Sequence, residues 1–530
     1  TQGYSSAASD VYKRQALKNV SLPSNGKLKE LNTGFFYGCK SLETITIPAY
    51  SEKIGNSAFY NCISLYEVEF DVYPVEHQHA GKNSLASIGD SAFSQPALTS
   101  FYLPDSIAEN GTTLGASIFN KVSTLTSVEL SAAVVSVDGV TQGSYITEIS
   151  IPDDSRYLKA DPVLPIIYNK EGKIIQLTYG PLDDKDGAFR VPDGTEAITD
   201  KAFMKQSFKK IILPYTIKSI GDSAFENCKM LATAELTSAT SIGNSAFAGC
   251  TALTTVKLPA VTSLGTSAFK GCTKLNNVSL GGGLKQISES AFENCTALEM
   301  LGLPSSLERI EAYAFKGSGL ASLALPSSIN YIDFSAFNGC ANFAELTVSD
   351  PESGYYIDEE TGWLMLSEGE DENKTVTLLM ALGSVQGEIV VPEGITAIGK
   401  SAFENSGITG IKLPSTLEII GERAFYGSKL TSVTIPASVL EIGAEAFSTS
   451  SVETAVLDCK DAVFAESVFA DCKSLVSVDF CTGLKALGDE MFVNCQALAE
   501  IELPDGMTWL GVETFRNSGL VSITLPDSVE

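Results

Sequence analysis

Residues 220–283 read IGDSAFENCKMLATAELTSAT (220–240), SIGNSAFAGCTALTTVKLPAV (241–261) and TSLGTSAFKGCTKLNNVSLGGG (262–283). The three lines repeat one pattern, with Phe225, Phe247 and Phe269 at the same place. The pattern recurs at Phe36, Phe59, Phe93, Phe119, Phe203, Phe292, Phe315, Phe337, Phe403, Phe425, Phe447, Phe469, Phe492 and Phe515. Successive markers are mostly 22 or 23 residues apart, which is the length of one solenoid coil and too short for a domain. The period overrides the roughly three or four domains that the chain length alone suggests, at about 150 residues each.

Each coil has two halves. The first is L-x-x-V-x-L-P, as in Leu253, Val256, Leu258 and Pro259, or Leu430, Val433, Ile435 and Pro436. Its last apolar pair alternates as a strand requires, so successive coils are expected to pair in parallel. Proline then ends the strand, having no N–H for the ladder. The second half is I-G-x-x-A-F-x-G/N-C. Asn56, Asp222, Ser223 and Asn244 follow the Gly and suit the cap of a single helical turn. Thr199 and Glu311 stand in for that Gly in other copies, and such residues rarely accept positive φ. The Gly is therefore read as a close-packing site. The Phe rings are expected to stack coil on coil into one continuous apolar column.

Nine of the 11 cysteines sit three residues after the marker: Cys39, Cys62, Cys228, Cys250, Cys272, Cys295, Cys340, Cys472 and Cys495. Ser318, Ser406, Ser428 and Ser518 take the same place, so the site wants something small. Stacked strands keep side chains about 4.8 Å apart, beyond the Cβ separation of a disulfide. A ladder of buried free thiols is expected. Cys459 and Cys481 fall outside it.

Two stretches break the period, residues 131–202 and 349–402. Each holds two β-rich runs around a polar turn and returns through Val191-Pro-Asp-Gly or Val391-Pro-Glu-Gly, which reads as a hairpin standing on the solenoid. The expected organisation is a leader at 1–15, repeat arrays at 16–130, 203–348 and 403–530, and these two inserts between them. Residues 1–15 fit no repeat and read as a foreign or disordered leader. The last array stops after a strand and reads as truncated.

The recurring I-G-x-x-A-F-x-x-C-x-x-L-x-x-V-x-L-P unit resembles the BspA-like (Treponema-type) leucine-rich repeat family over about residues 17–530. The resemblance implies an α/β repeat solenoid: a right-handed superhelix with a parallel concave sheet, short helical turns opposite, and here two β-hairpin inserts. It also implies a secreted or surface-anchored bacterial protein, extracellular or at the cell surface. Better-known members of the family adhere to host matrix or other cells. No catalytic or ligand residues carry over.

The remaining motifs have plainer readings. The net charge is −28, from 36 Lys and Arg against 64 Asp and Glu, which opposes binding to nucleic acid or anionic lipid. No apolar run is long enough to insert in a membrane. His77 and His79 are the only histidines, lie in a loop insertion at 71–87 and lack further ligands for a metal. Gly394 to Ser401 matches G-x-x-x-x-G-K-S, yet Gly399 and Ser401 are ordinary repeat positions and no long helix follows. The acidic turns Asp183–Asp186 and Glu368–Glu372 lack the order of a calcium loop and read as solvated tips. No cofactor, metal or catalytic set is assigned, and the chain is read as no enzyme.

The concave strand face remains. Its outward row includes Glu69, Tyr102, Glu129, Glu235, Lys257, Lys412, Asp479 and Glu502, the candidate binding residues. The expected partner is an extracellular protein or cell-surface macromolecule. The alternative is a spacer that projects a catalytic or anchoring domain outside this chain.

Overall fold

The computed structural model describes residues 16–529, except 75–76, 78–79, 104–110, 138–139, 142, 179–186, 334, 350–353, 370–373 and 382–384. His79, the Asp183–Asp186 turn, part of the Glu368–Glu372 turn and the leader at 1–15 lie outside the described residues. The chain divides into two compact units, Thr1–Thr273 and Lys274–Glu530.

In each unit the L-x-x-V-x-L segments pair in parallel. Lys210–Ile212, Thr233–Glu235 and Thr255–Leu258 are successive neighbours in the first unit. Ser432–Ile435, Thr454–Leu457 and Ser477–Phe480 are successive neighbours in the second. Alternation decides which side chains go inward: Val256 and Leu258 are buried while Lys257 is exposed. A second parallel sheet runs through the short strands before the Gly. Ser219–Ile220, Ser241–Ile242 and Ser263–Leu264 exemplify it in the first unit, and Ile419–Ile420, Glu441–Ile442 and Val463–Phe464 in the second.

The A-F segment is not a helical turn, and no helix occurs among the described residues. It is a chain of tight turns whose N–H groups alternate between two destinations. Ala58 N donates to Gly55 O, Tyr60 N to Ser57 O and Cys62 N to Phe59 O, each closing a turn. In between, Ser57 N donates to Asp90 O, Phe59 N to Ala92 O and Asn61 N to Ser94 O of the next coil. Ser57 (φ 53°) and Asn61 (φ 60°) are left-handed, as the third residue of a type II turn must be. A helix would keep its N–H groups to itself; these turns spend every second one on a neighbour, and the arch becomes a hydrogen-bonded layer.

The residues read as helix caps have a different partner for the same reason. Asn56 Oδ1 accepts from Asp90 N at 3.0 Å, Asp222 Oδ1 from Asn244 N at 2.7 Å and Asn244 Oδ1 from Thr266 N at 2.9 Å. They bridge coils. The preceding Gly does what close packing demands: its φ is not left-handed, and a Cβ on Gly243 would lie 2.6 Å from Asp222 N and Gly221 C.

The Phe rings stack in runs. In the first unit Phe203, Phe225, Phe247 and Phe269 have centroids 5.0–5.3 Å apart. In the second, Phe403, Phe425, Phe447 and Phe469 repeat that spacing. Such contacts add about 0.5–1.5 kcal/mol beyond area burial. The expected unbroken column is interrupted at both inserts, because neither insert supplies a marker Phe. Aromatics from other positions finish the runs: Phe208 and Phe189 lie against Phe203, Phe343 stacks on Phe337 at 5.0 Å, and Trp363 meets Phe403 edge-on at 5.5 Å.

Neither insert stands on the solenoid as a separate hairpin; both are woven into it. Leu158–Ala160, Ile166–Asn169 and Ile174–Thr178 form an antiparallel meander whose last strand pairs in parallel with Ala197–Ile198 of the second sheet. Tyr355–Ile357, Leu364–Glu368 and Thr375–Met380 repeat this, ending on Ala397–Ile398. The exits join the main sheet: Ala188–Arg190 pairs with Lys210–Ile212, and Gln386–Val390 with Gly407–Lys412. Each insert thus contains a coil whose arch has been replaced by a meander, and the first also holds one more turn of the array, through Val134–Ser136 and Glu148–Ser150.

All the cysteines are free, and those of the ladder are buried. Their thiols donate to the Phe carbonyl of the preceding coil, as Cys250 Sγ does to Phe225 O and Cys472 Sγ to Phe447 O, both at 3.1 Å. Burial pushes the Cys250 thiol up to about 12 and that of Cys472 up to about 11.

Candidate interaction surface

The main sheet turns every second residue of each strand to solvent, and parallel register lines these residues up from coil to coil. In the first unit Thr46 is opposite Glu69, Tyr102 opposite Glu129, and Glu235 opposite Lys257. In the second, Thr434, Val456 and Asp479 are successive partners. All eight sequence-derived candidates, Glu69, Tyr102, Glu129, Glu235, Lys257, Lys412, Asp479 and Glu502, are exposed. Tyr102 is 51% exposed. Their interactions are light: Thr46 Oγ1 donates to Glu69 Oε2 at 3.1 Å, and Lys257 Nζ lies 3.5 Å from Glu235 Oε1.

Three residues of the row were not legible from Phe spacing. Ser150 is the register partner of Glu129, Arg190 of Ile212 and Val390 of Lys412. All three lie in stretches assigned to inserts. The signal that marks them is the closing Pro of the strand motif, present in Ser150-Ile-Pro152, Arg190-Val-Pro192 and Val390-Val-Pro392. Glu67 and Glu148 also project outward, from the strands of Glu69 and Ser150. The strands Thr44–Ile47, Glu67–Phe70, Ser127–Glu129 and Glu148–Ser150 therefore present four carboxylates and no Lys or Arg.

The other sequence motifs resolve into repeat structure. Gly399 N donates to Leu378 O and Ser401 N to Glu422 O, while Lys400 Nζ is 2.9 Å from Glu422. The segment that matches a phosphate loop spends these donors on the coils either side of it. His77 stacks on Tyr73 at 4.3 Å within its loop. Among the described residues no group of three His, Cys, Asp or Glu is placed to hold a metal ion, and no helix is long and apolar enough to cross a membrane.

The BspA type leucine rich repeat region model matches residues 6–161, 187–263, 240–360, 384–498 and 462–530. The chain belongs to this family. Similar solved structures include a leucine rich cell surface protein of Faecalibacterium prausnitzii A2-165, at 24% identity over 69% of this chain and 93% of that one, with a TM-score of 0.48. A leucine-rich repeat protein of Eubacterium ventriosum is 20% identical over 70% of this chain and 95% of that one, with a TM-score of 0.42. The pneumococcal vaccine antigen PcpA is 20% identical over 58% and 68%, with a TM-score of 0.35. No curated protein matches the chain. The BspA-type repeat thus accounts for the stacked parallel coils, with turn layers in place of helices.

Proposed function

We propose that this chain is the non-catalytic interaction region of a secreted or surface-displayed bacterial protein, and that it adheres to an extracellular macromolecule through the outward row of its main sheet. The observation that carries this reading is the register, which holds exposed side chains of successive coils in line on a backbone fixed on both sides. Such a surface binds by extended area with many weak contacts. The acidic strands bearing Glu67, Glu69, Glu129 and Glu148 favour a protein with a basic surface, and their charge speeds encounter at low salt.

The test is to display the intact chain on beads and measure retention of basic extracellular matrix proteins at low and high salt. Retention that falls with salt, and falls at least tenfold when the four glutamates become lysine, supports the proposal. No retention above uncoated beads, or retention indifferent to those substitutions, rejects it.

A further inference from the structure

The second sheet is interrupted within the last array. Its ladder ends at Val463–Phe464, and a separate pair, Ala486–Leu487 with Trp509–Leu510, begins one coil on. An open groove of about 640 Å³ lies over this break, with Ala462, Val463, Ala486 and Trp509 on its walls and Glu466 and Asp489 among its polar groups. In the first unit the outward row of the same sheet is small and polar, as Ser219, Ser241 and Ser263 in register. Here Val463, Ala486 and Trp509 take that place. Trp509 is 56% exposed, an indole face left open beside the small side chain of its register partner Ala486.

The polar groups of the groove are of both kinds, donors and acceptors. In the regular coils of the first unit, Asp200 Oδ1 accepts from Asp222 N and Asp222 Oδ1 from Asn244 N, both at 2.7 Å. Ala444 takes that place in the second unit and has no acceptor to offer, and Glu466 makes no such bond. The N–H groups of Glu466 and Asp489 are therefore without a partner among the described residues. Asp489 Oδ1 accepts from Val512 N at 2.7 Å, which ties the carboxylate to the coil of Trp509 and leaves its second oxygen available. Glu466 and Asp489 are both exposed.

We infer that this groove binds a neutral sugar ring, as one unit of a glycan chain. The C–H face of such a ring lies against the electron-rich face of an indole, here Trp509. Sugar hydroxyls both donate and accept, which matches a wall where two amide donors stand beside two carboxylate acceptors. A cation would meet the carboxylates and the indole but would leave the two N–H groups facing a positive charge. An anion would be repelled by Glu466 and Asp489. The small side chains of Ala462 and Ala486 leave the space that the ring occupies. The site lies on the second sheet, apart from the outward row of the main sheet, and does not rest on the macromolecular partner proposed for that row.

The experiment titrates the full chain with maltotriose, cellotriose, xylotriose, mannotriose and triacetylchitotriose, read by ligand-detected saturation-transfer NMR. At least one is expected to bind saturably, with a dissociation constant on the order of a millimolar, and equally at low and high salt because it carries no charge. Trp509→Ala should weaken that sugar roughly tenfold or more. Asp489→Asn, which keeps the oxygen that accepts from Val512, and Glu466→Gln should each weaken it roughly 3–10-fold. Trp509 is mostly exposed, so its removal spares the core; Ala486→Lys fills the groove from another outward position and should block the sugar independently. Absence of saturable binding by every trisaccharide overturns the inference, as does binding that ignores both Trp509→Ala and Ala486→Lys. Spermidine binding here more tightly than any sugar, and weakening with salt, would assign the groove to a cation instead. Self-association in sedimentation that is lost with Trp509→Ala would assign it to a second copy of the chain, and either result also overturns the inference.

Discussion

A regular coil and the second insert meet the same requirement in different ways. The coil around Phe247 has a ring on each face, at 5.0 and 5.3 Å, a Gly that admits the preceding backbone, and turns that donate every second N–H forward. The insert pairs forward, Thr375–Met380 with Ala397–Ile398 and Gln386–Val390 with Gly407–Lys412, but gives up the arch, and with it the marker Phe. Among the described residues, both strand ladders and the ring stack restart at the insert: Tyr331–Ile332 and Glu345–Val348 end the sheets before it, and new ones begin at Tyr355–Ile357 and Gln386–Val390. The arch, its ring and the strand ladders are thus one cooperative unit, filled and for the most part paired where the 22–23-residue pattern repeats.

The largest expected effect contrasts the two regions directly. Phe247→Ala should cost about 3–5 kcal/mol, as for other buried aromatics. Phe403→Ala should cost less, because that ring already borders a cavity and has one stacked neighbour. Calorimetric unfolding of the two variants checks the order; equal losses would show that the column does not distinguish regular from interrupted coils.

A smaller contrast lies at the Gly before the arch. Gly243→Ala places a Cβ within 2.6 Å of backbone atoms of the preceding coil, and overpacking of that kind costs about 1–3 kcal/mol. Thr199 occupies the same repeat position where the array resumes after the first insert, and its N–H donates to Ile175 of the meander. Thr199→Ala should change stability by no more than about 0.5 kcal/mol. Urea titration of each variant gives the comparison, and a harmless Gly243→Ala would refute the close-packing role.

The thiol ladder gives the smallest effect, and it appears only in alkali. Burial raises Cys250 to about 12 and Cys472 to about 11, from an ordinary value of 9.0. A raised thiol pKa means the folded state holds its protons longer than the unfolded chain does. The associated stability is complete below pH 9 and drains away as pH climbs toward 11–12. The melting temperature should be flat with respect to these thiols up to pH 9 and fall above it. Replacing Cys250 and Cys472 together by Ser should flatten that decline, and an unchanged slope would show that the ladder does not titrate as described.

The spine and the strands were readable because their residues recur: Val256 and Leu258 repeat in type and spacing in coil after coil. The arch was misread because Asn56 and Asp222 look like helix caps when only their own coil is considered; their acceptors serve the next coil, which a local reading cannot see. The Gly or Asn two residues after the Phe carried the better signal, since Asn61 and Gly249 are both left-handed and a helix interior has no use for that. Of the interaction face, the eight candidates follow from strand alternation. Ser150, Arg190 and Val390 were lost because the inserts were bounded by missing Phe residues rather than by the strand-ending Pro. The gap beside Phe403 was not legible at all, because Phe343 and Met380 border it from the two sides of a break in the period.

Hydrogen exchange followed by mass spectrometry on the intact chain tests most directly whether the arch is a bonded layer linking coils. The amides of Ser245, Phe247 and Gly249, which donate to Thr266, Ala268 and Lys270, should be protected as strongly as those of the strand Thr255–Leu258. Exchange of these arch amides at the rate of exposed loops, with the strands still protected, would contradict it.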